Sequence, residues 1–153
     1  MLKAVPNSWL SWNFTIFDEA TPIAKIDLAW AREAGELNIG NTAYKMYREG
    51  LFNGAFIIQT GESVLARAEK PSALRRSFKV EYNNKHYILE AASAFGRKFV
   101  LREGERVVGS VYPEHVFTRK AIIDLPPGIA LPVKIFLTWL TIILWKRQAS
   151  AAN

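Results

Sequence analysis

The chain has no cysteine among its 153 residues and only two histidines. The first absence excludes disulfide scaffolds, zinc ribbons, iron–sulfur sites and Cys–His nucleophiles. The second leaves metal chemistry to His86 and His115, and neither has another histidine four residues away. Glycine (9) and proline (7) are sparse and charged residues make up 22%, which argues against a disordered, collagen-like or low-complexity chain. No Gly-x-Ser-x-Gly elbow, Walker loop or dinucleotide fingerprint occurs, and βαβ alternation is missing. The expectation is a protein that is not an enzyme, with no catalytic residue, metal site or cofactor. An export signal is also lacking, because Pro6, Asn7 and Ser8 interrupt the N-terminus before an apolar run develops. A cytoplasmic protein, peripheral at the membrane, is therefore expected, and the sequon Asn13-Phe14-Thr15 is read as chance.

What is present is an apolar half of the chain and an excess of positive charge, twenty Lys and Arg against fourteen Asp and Glu, formally +6. The first suffices for one domain over 1–153 with a core of its own. The second favours anionic partners. Short alternating runs dominate, such as Phe78-Lys79-Val80-Glu81-Tyr82 and Tyr87-Ile88-Leu89-Glu90, each bounded by a turn signal. They predict strands near 12–18, 22–28, 36–40, 43–48, 55–60, 63–69, 76–82, 85–91, 98–102, 106–111, 115–118 and 119–125.

Three hairpins align when stacked: Phe14 to Ile26, Phe56 to Ala68 and Phe99 to Val111. Each starts on Phe, has Ile16, Ile58 or Leu101 two residues on, crosses a turn, and returns through Ile23, Leu65 or Val108 followed by Ala24, Ala66 or Gly109. The offsets are 42 and 43 residues, so the chain reads as three four-stranded units. Three propeller blades fall below the usual minimum of about four, which leaves one closed sheet of about twelve strands. Roughly eight strands already enclose a lumen that side chains can fill, so a larger ring needs a plug.

The C-terminal segment supplies one. From Ile135 to Trp145 every residue is apolar or Thr, and a helix apolar all round is buried all round. With Pro132 in its first turn and Lys146 and Arg147 near its end, a helix over about 131–149 is expected. Its uncharged stretch covers roughly half a bilayer core, which favours a core plug over a membrane span. The small residues Ala24, Ala66 and Gly109 then mark inward positions where the helix lies close to the sheet.

The strand rhythm, the small-residue hairpins, the segment Phe95-Gly96-Arg97-Lys98-Phe99 and the run from Leu125-Pro126-Pro127 through Leu131-Pro132 together resemble the tubby C-terminal-like superfamily. That superfamily includes the LURP-one-related proteins and the phospholipid scramblases. The resemblance implies a mainly β, about twelve-stranded antiparallel barrel enclosing a hydrophobic C-terminal α-helix, and a phosphoinositide-binding or otherwise lipid-associated role. The sequence departs from scramblases in lacking an Asp-rich calcium loop and a palmitoylatable cysteine cluster.

Basic residues cluster at Arg67, Lys70, Arg75, Arg76 and Lys79, where paired guanidiniums before a strand can take phosphate oxygens bidentately. Both Arg75 and Arg76 are expected to point to water. Trp9 and Trp12 suit either a lipid interface or the closure of a barrel end. The leading expectation is a non-catalytic module for anionic phospholipid or phosphoinositide headgroups. The alternatives are an interaction domain for an acidic protein surface and a scramblase-like protein anchored by its C-terminal helix. Nucleic acid ranks last, for want of a groove-reading helix or stacking motif.

Overall fold

The computed structural model describes residues 1–29, 33–50 and 54–151. The strands are β1 (Leu2–Pro6), β2 (Phe14–Asp18), β3 (Thr21–Ala29), β4 (Ala34–Ile39), β5 (Thr42–Arg48) and β6 (Phe56–Thr60). They continue as β7 (Ser63–Glu69), β8 (Ser77–Tyr82), β9 (Lys85–Ala91), β10 (Phe99–Glu103), β11 (Arg106–Pro113) and β12 (Ala121–Asp124), and helix α1 (Leu131–Ala151) follows. Each strand pairs antiparallel with its sequence neighbours, and β12 pairs with β1 to close a twelve-stranded barrel.

The expected number of strands is met with one exchange of membership. Residues 115–118 form no strand; Thr118 N–H turns back onto the His115 carbonyl at 3.2 Å, so His115 lies in a loop rather than a short strand. The twelfth strand is β1, whose five residues contribute only Ala4 to the buried core. Its partner β12 lies more than a hundred residues away, and no local pattern of apolar residues announces the pairing.

The three-unit reading has a definite structural meaning. Ile16 faces Ala24, Ile58 faces Ala66 and Leu101 faces Gly109, and in each hairpin the register then slips by one residue, at Ile23, Leu65 and Val108. The same β-bulge therefore occurs three times, adding the twist that a barrel wall needs. Each hairpin turns through a left-handed residue at one equivalent position, Glu19, Gly61 and Gly104 (φ 52°, 55° and 63°). The second hairpins match as well. Leu37 pairs with Tyr44, Val80 with Tyr87, and Ile123 with Leu2. The joints between units do the same, through Met46–Ile58, Leu89–Leu101 and Ala4–Ile16. The barrel is thus a pseudo-threefold ring whose last unit is β10–β11–β12 completed by the N-terminal strand.

Helix α1 fills the lumen. Val133 and every residue from Ile135 to Trp145 are buried. Trp139 stacks on Phe136 (centroids 5.9 Å) and meets Phe56 edge-on at 5.7 Å. Thr138 and Thr141 keep their hydroxyls satisfied by donating to the Lys134 and Leu137 carbonyls, four residues back, at 2.9 and 3.1 Å. Large apolar side chains fully buried are worth roughly 1.5–3 kcal/mol each, so this helix is the largest single contributor to the core. It runs two residues past the expected end, which places Lys146 and Arg147 before the last turn. Arg147 forks onto Glu33 (2.6 Å from Nε) rather than capping the helix dipole. Ala24 and Ala66 are buried inward, as expected. Gly109 is small for another reason: a Cβ there would stand 2.6 Å from the Asp124 carbonyl oxygen of the adjacent strand, not against the helix.

Candidate functional site

Antiparallel connectivity sends alternate connections to opposite ends of the barrel, and the two ends differ in chemistry. One end carries the two-residue turns Glu19-Ala20, Gly40-Asn41, Gly61-Glu62, Asn83-Asn84 and Gly104-Glu105. The other carries longer connections, among them 7–13, 49–55, 70–76, 92–98 and 114–120, and receives the C-terminal end of α1. Trp145 fixes the helix there by donating its indole N–H to the Arg97 carbonyl at 2.8 Å.

Charge follows the same division. The short turns hold Glu19, Glu62 and Glu105 and no Lys or Arg. In the described loops of the long-loop end stand Lys70, Arg75, Arg76, Arg97, Lys98, Arg119 and Lys120, joined by Lys146 and Arg147 of the helix, against Glu33, Glu49 and Glu114. The described loop and helix-end charges at this end thus favour cations nine to three, while the short turns are acidic, so charge is divided along the barrel axis.

Three of these arginines bind loops together in sequence around the ring. Arg76, in the β7–β8 loop, donates to the carbonyls of Gly96 (2.6 Å), Ser93 and Ala94 (both 2.8 Å) in the β9–β10 loop. Arg97, in that second loop, donates to Thr118 (2.7 Å), Val116 (2.5 Å) and, more loosely, His115 (3.4 Å) in the β11–β12 loop. Arg119, in the third, donates to the Ser8 carbonyl at 3.0 Å and to those of Ser11 and Trp9 in the β1–β2 loop. A planar guanidinium with several donors suits this task, whereas an ammonium would not reach three fixed acceptors. Each guanidinium also lies over an aromatic ring: Phe99 at 5.9 Å, Trp145 at 5.1 Å and Trp12 at 5.0 Å. Burial pushes the Arg97 and Arg119 guanidiniums below their ordinary value, yet arginine remains charged.

The residues singled out from the sequence do not converge on one site. Arg67 lies on the β7 wall between Glu49 and Glu69, each 3.2 Å away. With Lys79 it borders a wall groove of about 310 Å³ that Glu69 and Glu81 also line, so the groove is mixed in sign. Lys70 is half-buried: its ammonium donates to the Arg75 carbonyl and lies 5.5 Å over Phe78, and burial lowers its pKa. Arg76 corrects the expectation that both arginines face water, since its guanidinium is turned onto the neighbouring loop. Arg75 is exposed. Lys70 also borders a more cationic groove of about 410 Å³ with Arg48, Arg147 and Glu69.

Sequence reasoning missed the feature that most distinguishes this end. Trp9, Leu10, Leu74, Phe95, Val116 and Phe117 are exposed, and all sit on its loops. Among the described residues the other exposed large apolar side chains, Met1, Val64 and Val107, are at the opposite end and less exposed. The available signal was a lone large apolar residue set among Pro, Ser, Gly and Asn, as in Ser72-Ala73-Leu74 or Ser93-Ala94-Phe95. Trp12, weighed alongside Trp9, is half-buried under Arg119 and belongs to the scaffold. Among the described residues no group of three or more His, Asp or Glu side chains could hold a metal ion, and no helix is long and apolar enough to cross a membrane. No protein-family model, curated protein or solved structure matches the chain.

Proposed function

We propose that the protein is a non-catalytic binding module that meets anionic phospholipid headgroups with the long-loop end of its barrel. The observation that carries this reading is the segregation of charge, with the surplus of cations at one end and Glu19, Glu62 and Glu105 at the other. Such an axial asymmetry orients the molecule in the field of an anionic surface, which falls off within a Debye length of about 8–10 Å. A uniformly basic protein would approach at random. Membership of the tubby C-terminal-like superfamily is part of the same proposal, supported by the closed barrel around an apolar C-terminal helix. The scramblase-like alternative, in which that helix is an anchor, fits poorly with a helix buried inside the barrel at every residue from Ile135 to Trp145.

The test is flotation of the full chain with neutral and with phosphatidylserine-containing vesicles at low and high salt. Binding to the anionic vesicles alone, weakened by salt, is the expected result. Each basic residue near an anionic leaflet contributes about 1 kcal/mol. The combined replacement Arg75→Glu, Lys98→Glu and Lys120→Glu, at three exposed cations of the loop end, therefore lowers partitioning by on the order of a hundredfold. Lys25→Glu with Lys45→Glu, at exposed wall positions of β3 and β5, leaves most of it. Absence of binding to anionic vesicles, or equal losses in the two variants, overturns the proposal.

A further inference from the structure

The apolar loop tips and the arginine chain describe the same loops. Arg76 holds the carbonyls around Phe95, Arg97 those around Val116 and Phe117, and Arg119 those around Trp9 and Leu10. In all three loops the backbone oxygens turn inward to a guanidinium, while the large apolar side chains turn out. Leu74 and Phe117 are 96% exposed, Phe95 92% and Trp9 82%. Neighbouring tips in the ring therefore belong to loops joined one to the next, β7–β8 to β9–β10 to β11–β12 to β1–β2.

For a loop exposed only to water, the clasps would steady the backbone but leave the outward apolar side chains without a use. Water satisfies loop carbonyls on its own, and exposed Trp and Phe side chains gain nothing there. A loop that enters the interfacial layer of a bilayer faces the opposite conditions. Its carbonyls meet less water as the tips approach the hydrocarbon, where an unpaired one costs several kcal/mol, while its aromatic and aliphatic side chains gain by leaving water. Satisfying the carbonyls from below and projecting the apolar side chains above meets both conditions at once. We infer that this arc of four loops is a membrane-insertion edge, in which Trp9, Leu10, Leu74, Phe95, Val116 and Phe117 enter the interfacial region of an anionic phospholipid bilayer. The occupant is a bilayer rather than a protein because Arg75, Lys98 and Lys120 are exposed on the same loops and stand at headgroup level when the tips are immersed. An apolar edge with a basic border matches the layering of acyl chains beneath phosphates.

This inference rests on the headgroup reading and adds depth and orientation to it. Because the chain has no cysteine, a single label can be placed at will. Phe95→Cys and Phe117→Cys, each carrying an environment-sensitive fluorophore, are titrated with anionic vesicles, some containing nitroxide-labelled acyl chains, and Val64→Cys at the opposite end serves as reference. Blue-shifted, quenched emission at 95 and 117 with none at 64 is expected. The triple variant Trp9→Ser, Phe95→Ser and Phe117→Ser, all at exposed positions, is expected to melt like the parent and to lose on the order of tenfold or more in partitioning. If the parent binds anionic vesicles but neither label shifts and the triple variant binds equally well, insertion is overturned and headgroup binding stands. If the parent binds no vesicle, both are overturned. If sedimentation shows self-association that the triple variant abolishes, and the labels respond to protein concentration rather than lipid, the edge is an interface between copies of the chain, and insertion is again overturned.

Discussion

Arg76 and Arg119 stand forty-three residues apart and do the same thing: each donates to three carbonyls of the loop beyond the next strand pair. The accepting residues correspond one to one, Ser93, Ala94 and Gly96 for Arg76 and Ser8, Trp9 and Ser11 for Arg119. The pseudo-threefold repeat therefore extends from the strands into the loop that each arginine grips. In the first unit the corresponding residue is Glu33, and the sign is reversed. Arg48 (3.0 Å) and Arg147 (2.5 Å) come to it, so there the helix end is bound to the wall.

Removing a clasp should loosen one loop and spare the other. Arg76→Ala and Arg119→Ala are each expected to cost about 1–3 kcal/mol, the range for charged hydrogen bonds of which part is recovered by water. Lysine should restore little, because a point charge cannot fork across three oxygens. Hydrogen exchange gives the local readout: protection falls in 92–98 for Arg76→Ala and in 7–13 for Arg119→Ala. Uniform loss over the whole barrel in both variants would show that the arginines support global stability rather than their own loops.

Glycines at two kinds of position should respond differently to a methyl group. Gly61 has φ 55° with nothing within 4 Å of a built Cβ, so Gly61→Ala costs only the left-handed conformation, about 1 kcal/mol. At Gly109 the backbone is ordinary but the Cβ meets the Asp124 carbonyl at 2.6 Å and Leu125 at 3.1 Å. Gly109→Ala has to part β11 from β12 next to the barrel seam and should cost about 2–3 kcal/mol. Glu19 holds the turn position that is glycine in the other two units, so Glu19→Gly is expected to raise stability. Chemical denaturation of the three variants orders them, and Gly109→Ala milder than Gly61→Ala would remove the steric account.

Most of the barrel was legible because each hairpin states its own period, turn and partner within about a dozen residues. Phe78 to Tyr82 and Tyr87 to Glu90 needed nothing beyond themselves. The helix was legible for the opposite reason, since a segment with no polar face has only the interior to occupy. Strand β1 was not, because Leu2, Lys3 and Ala4 acquire meaning only against Ile123, Ile122 and Ala121. The site failed in the same way. Arg67, Lys70, Arg75, Arg76 and Lys79 are neighbours in sequence, but the β7–β8 connection divides them between the barrel wall and the rim, with Arg76 turned onto the next loop. The residues that do share an end, Trp9, Leu74, Phe95 and Phe117, are brought together only by alternating loop placement around a closed ring.

Acid should weaken the barrel seam in a way traceable to one pair. Lys3 Nζ lies 2.5 Å from Glu114 Oε1, tying β1 to the β11–β12 loop, and this hydrogen bond holds the Glu114 carboxyl below its ordinary value of 4.5. A carboxyl whose folded pKa is depressed contributes stability above its unfolded pKa and loses it as pH falls through the folded one. The parent should therefore exceed Glu114→Gln in urea midpoint at neutral pH, and the gap should close on acidification below about pH 4. The pair is partly exposed, so the gap is small and shrinks with salt. A gap that persists unchanged at low pH would assign the effect to packing of the side chain instead.

The central position of α1 predicts the largest single effect. Ile142 has no solvent exposure, and Ile142→Asp places a carboxylate beside Leu28, Trp139 and Ile143, with the cations of the shared groove, Lys146 and Arg147, toward the helix end, at a cost of several kcal/mol. Against a typical net stability of about 5–15 kcal/mol, that unfolds much of the population at ambient temperature. Ser150→Asp, on the exposed last turn, is the control and should melt like the parent. The pH dependence adds a second signature with a definite sign. A buried carboxyl resists ionisation, so its folded pKa rises above the unfolded one, and the penalty is full at neutral pH and shrinks as protonation makes the group neutral. Thermal scans of Ile142→Asp at pH 7 and at mildly acidic pH should therefore show a deficit that lessens with acid, opposite to the Glu114 case. A parent-like melting curve at neutral pH would place residue 142 at the surface and remove the helix from the lumen.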